Sequence, residues 1–287
     1  MTLVYMFPGQ GTQRAGMGGD LFDRFRAMTA VADAVLGYSV ADLCLHDPHE
    51  RLGLTIYTQP AVYVVNALSY AAARADGSAV PDVAVGHSLG EYNALETAGV
   101  FGFADGLQLV VARATAMARV RDGGMCAVLG MDEAVIRLLL RRAGLEAVEV
   151  ANHNTQDQTI LGGPVAKLES AAALLKDSGA RAVRRLPVSG PFHTGHMSPA
   201  AEEFGRLLAR TPLAAPAFPV IANRTALPYT EATMADVLRE QIDHPVLWRQ
   251  TVESLLDSDA DTVFEEAGDS TVLTRMLRSI RAERDTR

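Results

Sequence analysis

Ser88 sits in Val83-Ala84-Val85-Gly86-His87-Ser88-Leu89-Gly90-Glu91-Tyr92, a stretch whose residue types could do chemistry. The valine-rich start has the character of a buried strand end. Gly-His-Ser-Leu-Gly then has the G-x-S-x-G form of a nucleophile elbow, and a helix-compatible run, 91–98, follows. A tight strand-to-helix turn brings backbone close on both sides, so Gly86 and Gly90 must be small. Such a turn exposes the serine hydroxyl at a helix N-terminus, where free N–H groups favour a developing oxyanion.

Other residues become candidates through what this serine needs. Pro8-Gly9-Gln10-Gly11-Thr12-Gln13 follows a short apolar strand, 3–7. Its glycines let backbone N–H groups turn outward, as an ordinary loop or as half of an oxyanion hole. Gln59 opens a helix over 61–73 that is apolar on nearly every side and is therefore expected in the core. It either caps the turn or faces the site. Arg113 lies on a mostly apolar helix over 103–119, where a guanidinium needs a carboxylate, from the protein or from a ligand. Of seven histidines, His193 lies in a turn-rich loop, 188–197, and is the general-base candidate, with His87 and His196 as competitors.

The elements that must position these groups alternate between strands and helices. A helix is expected over 20–36. Near Asp122-Gly123-Gly124 the rhythm changes, and β-α-β-β-α-β follows, the ferredoxin-like split unit. Past Pro187 come a helix over 199–208, a strand over 220–223, a helix over 234–242 and a helix over 248–256. A strand over 262–264 and a helix over 271–280 complete the order, and the charged tail 281–287 is expected to fray. The pattern predicts an α/β protein with a mainly parallel central sheet. The large part takes residues 1–123 and 191–287, and the ferredoxin-like part takes 124–190.

Composition narrows the function classes. The chain has 287 residues, 48% hydrophobic and 21% charged, with a formal net charge of −8. An acidic balance disfavours nucleic acid as the main partner. No apolar run of membrane-spanning length is present, and the N-terminus lacks the basic and apolar regions of a signal peptide. Only Cys44 and Cys126 occur, so neither a disulfide framework nor a zinc site is indicated, and the cytoplasm is the expected compartment. His46-Asp47-Pro48-His49-Glu50 is not a metal-binding helix pattern, and Pro48 places it in a loop.

Together these stretches resemble the malonyl-CoA:acyl carrier protein transacylase family, from Tyr5 to about Ile280. The matches are 7–13, 58–61, 86–91, Arg113 with Met117, 188–193 and His244-Pro245-Val246-Leu247-Trp248, in the family's order. The helix beginning at Gln59 is most similar to the free-standing acyltransferases that serve polyketide synthases in trans. The resemblance implies an α/β-hydrolase-like large subdomain and a ping-pong acyl transfer from malonyl-CoA to an acyl carrier protein. Ser88 is then the nucleophile and His193 its base, with the N–H groups of Gln10 and Leu89 holding the oxyanion. Arg113 pairs with the malonyl carboxylate, and Gln59, His87 and Phe192 contact substrate. A main-chain carbonyl near Leu247 orients His193 in place of an acidic third member. No bound cofactor or metal is implied, and a monomer is expected. Leu247, Ala114 and Glu96 depart from the family's usual residues. Arg184, Arg185, Arg206 and Arg210 are candidates for docking an acidic carrier. The alternatives are an editing hydrolase acting on carrier thioesters and a non-catalytic carrier-docking protein.

Overall fold

The structure is a computed structural model that describes residues 2–259 and 261–285. Strands β1 (Leu3–Phe7), β2 (Val83–Gly86), β3 (Gly124–Leu129), β4 (Glu149–Thr155), β5 (Gln158–Gly163), β6 (Ala182–Arg185), β7 (Val220–Ile221) and β8 (Val263–Glu266) form two sheets. One is parallel, in the order β7-β2-β1-β8, and the other antiparallel, in the order β4-β5-β3-β6.

The parallel sheet is covered on both faces, which explains why β1 is apolar at every position. Alternation along the strand divides it between two cores. Tyr5 and Phe7 join the core holding Val64, Leu68 and Leu107. Val4 and Met6 join Trp248, Val252, Leu273 and Leu277 on the other face. The antiparallel sheet has the strand order of a βαββαβ unit. Its Cys126 and Val128 face Ile136, Leu140, Leu168 and Leu175 of its own two helices, Glu133–Arg142 and Val165–Asp177. Met125, Ala127 and Ile160 point the other way and join the core beside the first sheet. An α/β architecture with a parallel sheet and a ferredoxin-like unit was expected from the sequence, and both are present.

Three local expectations are corrected, and one short helix was not anticipated. The helix expected over 20–36 is broken: Leu21–Arg24 and Arg26–Leu36 flank Phe25, whose φ −118° and ψ 49° leave the helical region. The helix expected from Ala61 starts at Thr55, with Pro60 inside it. Burial of Thr58 and Gln59 outweighs the one backbone bond a proline removes. The helix not anticipated, Val40–Leu45, is capped by Ser39, which accepts the Asp42 N–H. The last helix runs on from Val272 to Asp285, through most of the tail expected to fray. Its charged end is held by Arg281 donating to the Thr262 carbonyl and by Arg284 paired with Asp257. Thr286 and Arg287 lie outside the described residues. Among the described residues, no helix is long and apolar enough to cross a membrane.

Candidate active site

The elbow forms because β2 passes directly into the helix Gly90–Thr97. A Cβ on Gly90 would stand 2.0 Å from the Phe7 carbonyl oxygen, a backbone atom that cannot yield. Ser88 takes up the turn with φ 52°, a left-handed backbone conformation that is strained for a side-chain residue. Both of its peptide groups are held. Its N–H donates to Asn223 Oδ1 at 2.7 Å, and its carbonyl accepts from Gln241 Nε2 at 2.7 Å. Asn223 Nδ2 also donates to the Gly86 carbonyl at 2.6 Å, so one side chain spans the turn.

His193 meets this serine from a distant loop, and it too is left-handed, with φ 60°. Its Nε2 lies 2.7 Å from Ser88 Oγ, and its Nδ1 lies 2.7 Å from the Gln241 carbonyl oxygen. A carbonyl only accepts, so the proton is assigned to Nδ1 and the lone pair of Nε2 faces the hydroxyl. This is the tautomer a general base requires. Of the competing histidines, His196 is turned to the Ala147 carbonyl at 2.8 Å. His87 Nε2 makes a 2.9 Å bond to Asn154 Oδ1 on β4 and lines the cavity beside the serine.

The expectation that the carbonyl near Leu247 orients the base is corrected. Leu247 heads the helix Trp248–Ser258, and its carbonyl accepts from Thr251, through both N–H and hydroxyl. The orienting carbonyl belongs to Gln241, just past the end of the helix Met234–Glu240. Carbonyls at a helix C-terminus lack intrahelical donors, and here one such group is aimed at the imidazole.

Burial, with the Arg113 charge close by, holds the His193 imidazole down to about 3. The ring is therefore neutral at physiological pH. The sign for stability follows. Below about 6.5, the ordinary value, the unfolded chain takes up a proton that the folded chain refuses, so stability falls as pH falls. Relative to His193→Gln, the wild-type protein is expected to lose about 1.4 kcal/mol per pH unit below that point. Urea denaturation of both proteins at pH 7.5 and 5.5 checks this, and parallel losses would contradict it.

Arg113 is 1% exposed and has no salt-bridge partner among the described residues. Nη1 donates to Gln59 Oε1 at 2.5 Å, and Nη2 donates to Gln241 Oε1 at 2.9 Å and Ser88 Oγ at 3.1 Å. Its Nε is buried without a partner. Neutral oxygens thus hold the fork in place without cancelling its charge. Of the two alternatives left by the sequence, a protein carboxylate or a ligand, no protein carboxylate among the described residues pairs with it directly, and Glu91 reaches it only through Gln241.

The Gln10 loop approaches the elbow so closely that a Cβ on Gly9 would lie 2.3 Å from the His87 carbonyl oxygen. Asn66 fixes this loop by donating to the Pro8 carbonyl at 2.9 Å. Among the described residues, neither the Gln10 nor the Leu89 N–H is donated to a protein acceptor. Gln10 and Ser88 line the same cavity of about 300 Å³, whose wall includes Phe192, Met125, Ile160 and Met276. Gln59, His87, Arg113 and His193 line it as well. Arg184, Arg185, Arg206 and Arg210 are exposed and outside this lining. No cluster among the described residues could hold a metal ion.

Sequence reasoning had missed Asn223, Gln241, Tyr229 and the part played by Glu91. Glu91 is fully buried, and its oxygens accept from the Asn223 N–H at 2.8 Å, Tyr229 O–H at 2.7 Å and Gln241 Nε2 at 2.6 Å. Burial lifts its carboxyl to about 7, against these bonds and the Arg113 charge, which favour the anion. The only available signal was its place one residue past the elbow glycine.

The arrangement has the groups needed to form and resolve an acyl ester on Ser88. The family described as acyl transferase domain matches residues 4–286. The chain is 42% identical over 282 residues to the polyketide biosynthesis malonyl CoA-acyl carrier protein transacylase PksC of Bacillus subtilis, covering 98% of each. It is 45% identical over 277 residues to the polyketide biosynthesis protein ThaF of Burkholderia thailandensis, which takes in 96% of this chain and 24% of that longer protein. A crystal structure of malonyl CoA-acyl carrier protein transacylase from Burkholderia pseudomallei superposes with a TM-score of 0.96 at 45% identity, covering 99% of each chain. By site geometry, fold and sequence alike, the chain belongs to the acyl transferase domain family.

Proposed function

We propose that the protein transfers malonyl groups from malonyl-CoA, through an ester on Ser88, to the phosphopantetheine thiol of an acyl carrier protein. The observation that carries this reading is the buried Arg113, held by neutral groups beside the Ser88 hydroxyl, with no carboxylate among the described residues paired to it directly. A substrate acyl group ending in a carboxylate fills that need, because a guanidinium fork matches it bidentately.

The steps use this chain's own groups. Ser88 Oγ attacks the thioester carbon as its proton passes to His193 Nε2. The N–H groups of Gln10 and Leu89 stabilise the oxyanion. The carbon–sulfur bond breaks, coenzyme A leaves as its thiol with the proton from His193, and malonyl remains on Ser88. The carrier thiol then gives its proton to His193 and attacks the ester. Collapse of the second oxyanion breaks the ester bond and returns the proton to Ser88. Phe192, His87 and Gln59 shape the acyl pocket. Its product supplies chain extension in polyketide or fatty-acid assembly, and the enzyme works as a monomer that delivers to carriers in trans.

Intact mass spectrometry tests this. Mixed with malonyl-CoA, the protein is expected to gain one malonyl group, and added phosphopantetheine-loaded carrier is expected to remove it and gain the same mass. Release of free malonate with an unmodified carrier would assign the protein to the hydrolases instead.

A further inference from the structure

The base lacks an acidic residue in direct contact, since its Nδ1 meets a main-chain carbonyl. That carbonyl is nevertheless tied to a buried acid. Gln241 carries it, and the Gln241 side chain donates from Nε2 to Glu91 Oε2 at 2.6 Å and to the Ser88 carbonyl at 2.7 Å. Its Oε1 accepts from Arg113 Nη2 at 2.9 Å. The amide is thus held between a Glu91 oxygen that accepts its N–H and a guanidinium that can only donate. Turning the amide over would set its oxygen against two oxygens and its N–H group against another donor. Only one orientation is allowed, and it fixes the residue whose backbone meets His193.

Resting on the assignment of Ser88 and His193 as nucleophile and base, we propose that Glu91 is a positioning residue for this pair, acting through Gln241. Glu91 touches neither reacting atom. It locks the Gln241 amide, which in turn supports the strained Ser88 peptide from one side and places the Gln241 carbonyl under the imidazole from the other. The remaining oxygen of Glu91 is anchored by the Asn223 N–H and the Tyr229 hydroxyl, so the carboxylate itself has little freedom. It takes the place of a triad acid at one remove.

The test reads nucleophile reactivity without any acyl substrate. A fluorophosphonate labels Ser88 when Oγ bonds to phosphorus, fluoride leaves and His193 takes the proton. Glu91→Gln keeps the size of the side chain but sets an N–H group against the Gln241 amide donor. Labelling is expected to slow by about 10–100-fold, the scale of a displacement near 1 Å. In a Gln241→Ala background, which retains the orienting carbonyl, Glu91→Gln is expected to cost less than about threefold, because the route is already broken. Equal losses in both backgrounds, or wild-type labelling by a Glu91→Gln protein of lowered melting temperature, would overturn the proposal. Should Glu91→Gln not fold, Glu91→Asp keeps the charge and draws the carboxylate back by one methylene. Slowed labelling with a wild-type circular dichroism spectrum supports the positioning role, and wild-type labelling overturns it. Wild-type protein that labels but gains no malonyl group refutes the proposed substrate and leaves this inference standing.

Discussion

Ser88→Ala is expected to abolish the malonyl adduct and reduce transfer to the carrier on the order of 10⁶-fold, the scale seen when a serine nucleophile is removed. Intact mass before and after malonyl-CoA, with a timed carrier assay, measures both. The fold should survive. The contacts that hold the elbow use the Ser88 N–H and carbonyl, and among the described residues the hydroxyl bonds to His193 and Arg113 alone. Because the site opens into the cavity, water can meet those two groups after the change, so the melting temperature should move little. An adduct that persists in Ser88→Ala would place the nucleophile elsewhere. Loss of the adduct in an unfolded protein would be a different result, and circular dichroism separates the two.

The strand–turn–helix geometry at Ser88 was legible for a local reason. Crowding between Phe7, His87 and Gly90 acts over a few residues, so the required glycines are written side by side in the chain. The split βαββαβ unit was legible for the same reason, since apolar periodicity reports each strand and helix separately. The orienter of His193 was not. Every residue has a carbonyl, and which one faces an imidazole depends on how a helix end packs. The result was Leu247 where the structure has Gln241. Glu91 lay in plain view within the motif, yet its partners are Asn223, Tyr229 and Gln241, all more than a hundred residues away in sequence. A buried network assembled across such distances leaves no periodic trace. The start of the helix at Thr55 was hidden because Pro60 imitates a helix N-terminus, and packing overrode that signal.

Arg113 carries the substrate assignment, and Arg113→Ala is expected to change which acyl group is taken more than whether any is taken. Losing a charge-assisted, desolvated contact to a carboxylate costs about 3–4 kcal/mol, which is roughly 10²–10³-fold in kcat/KM for malonyl-CoA. Acetyl-CoA has no carboxylate to lose. It still feels the loss of the Nη2 hydrogen bond to Ser88 Oγ, so its rate should fall by no more than about tenfold, one ordinary hydrogen bond. The measured quantity is therefore the ratio of malonyl to acetyl kcat/KM, which cancels the shared loss at Ser88. Arg113→Lys sharpens the comparison. It keeps the positive charge but cannot hold Gln59 Oε1, Gln241 Oε1 and a carboxylate together from one planar fork. An intermediate ratio is expected, since charge attracts the carboxylate and geometry aligns it. An unchanged ratio in Arg113→Ala would mean that Arg113 serves only to brace Ser88 and Gln241. The preference for malonyl would then have to come from the cavity wall around Phe192 and Met125, which offers no cation to a carboxylate.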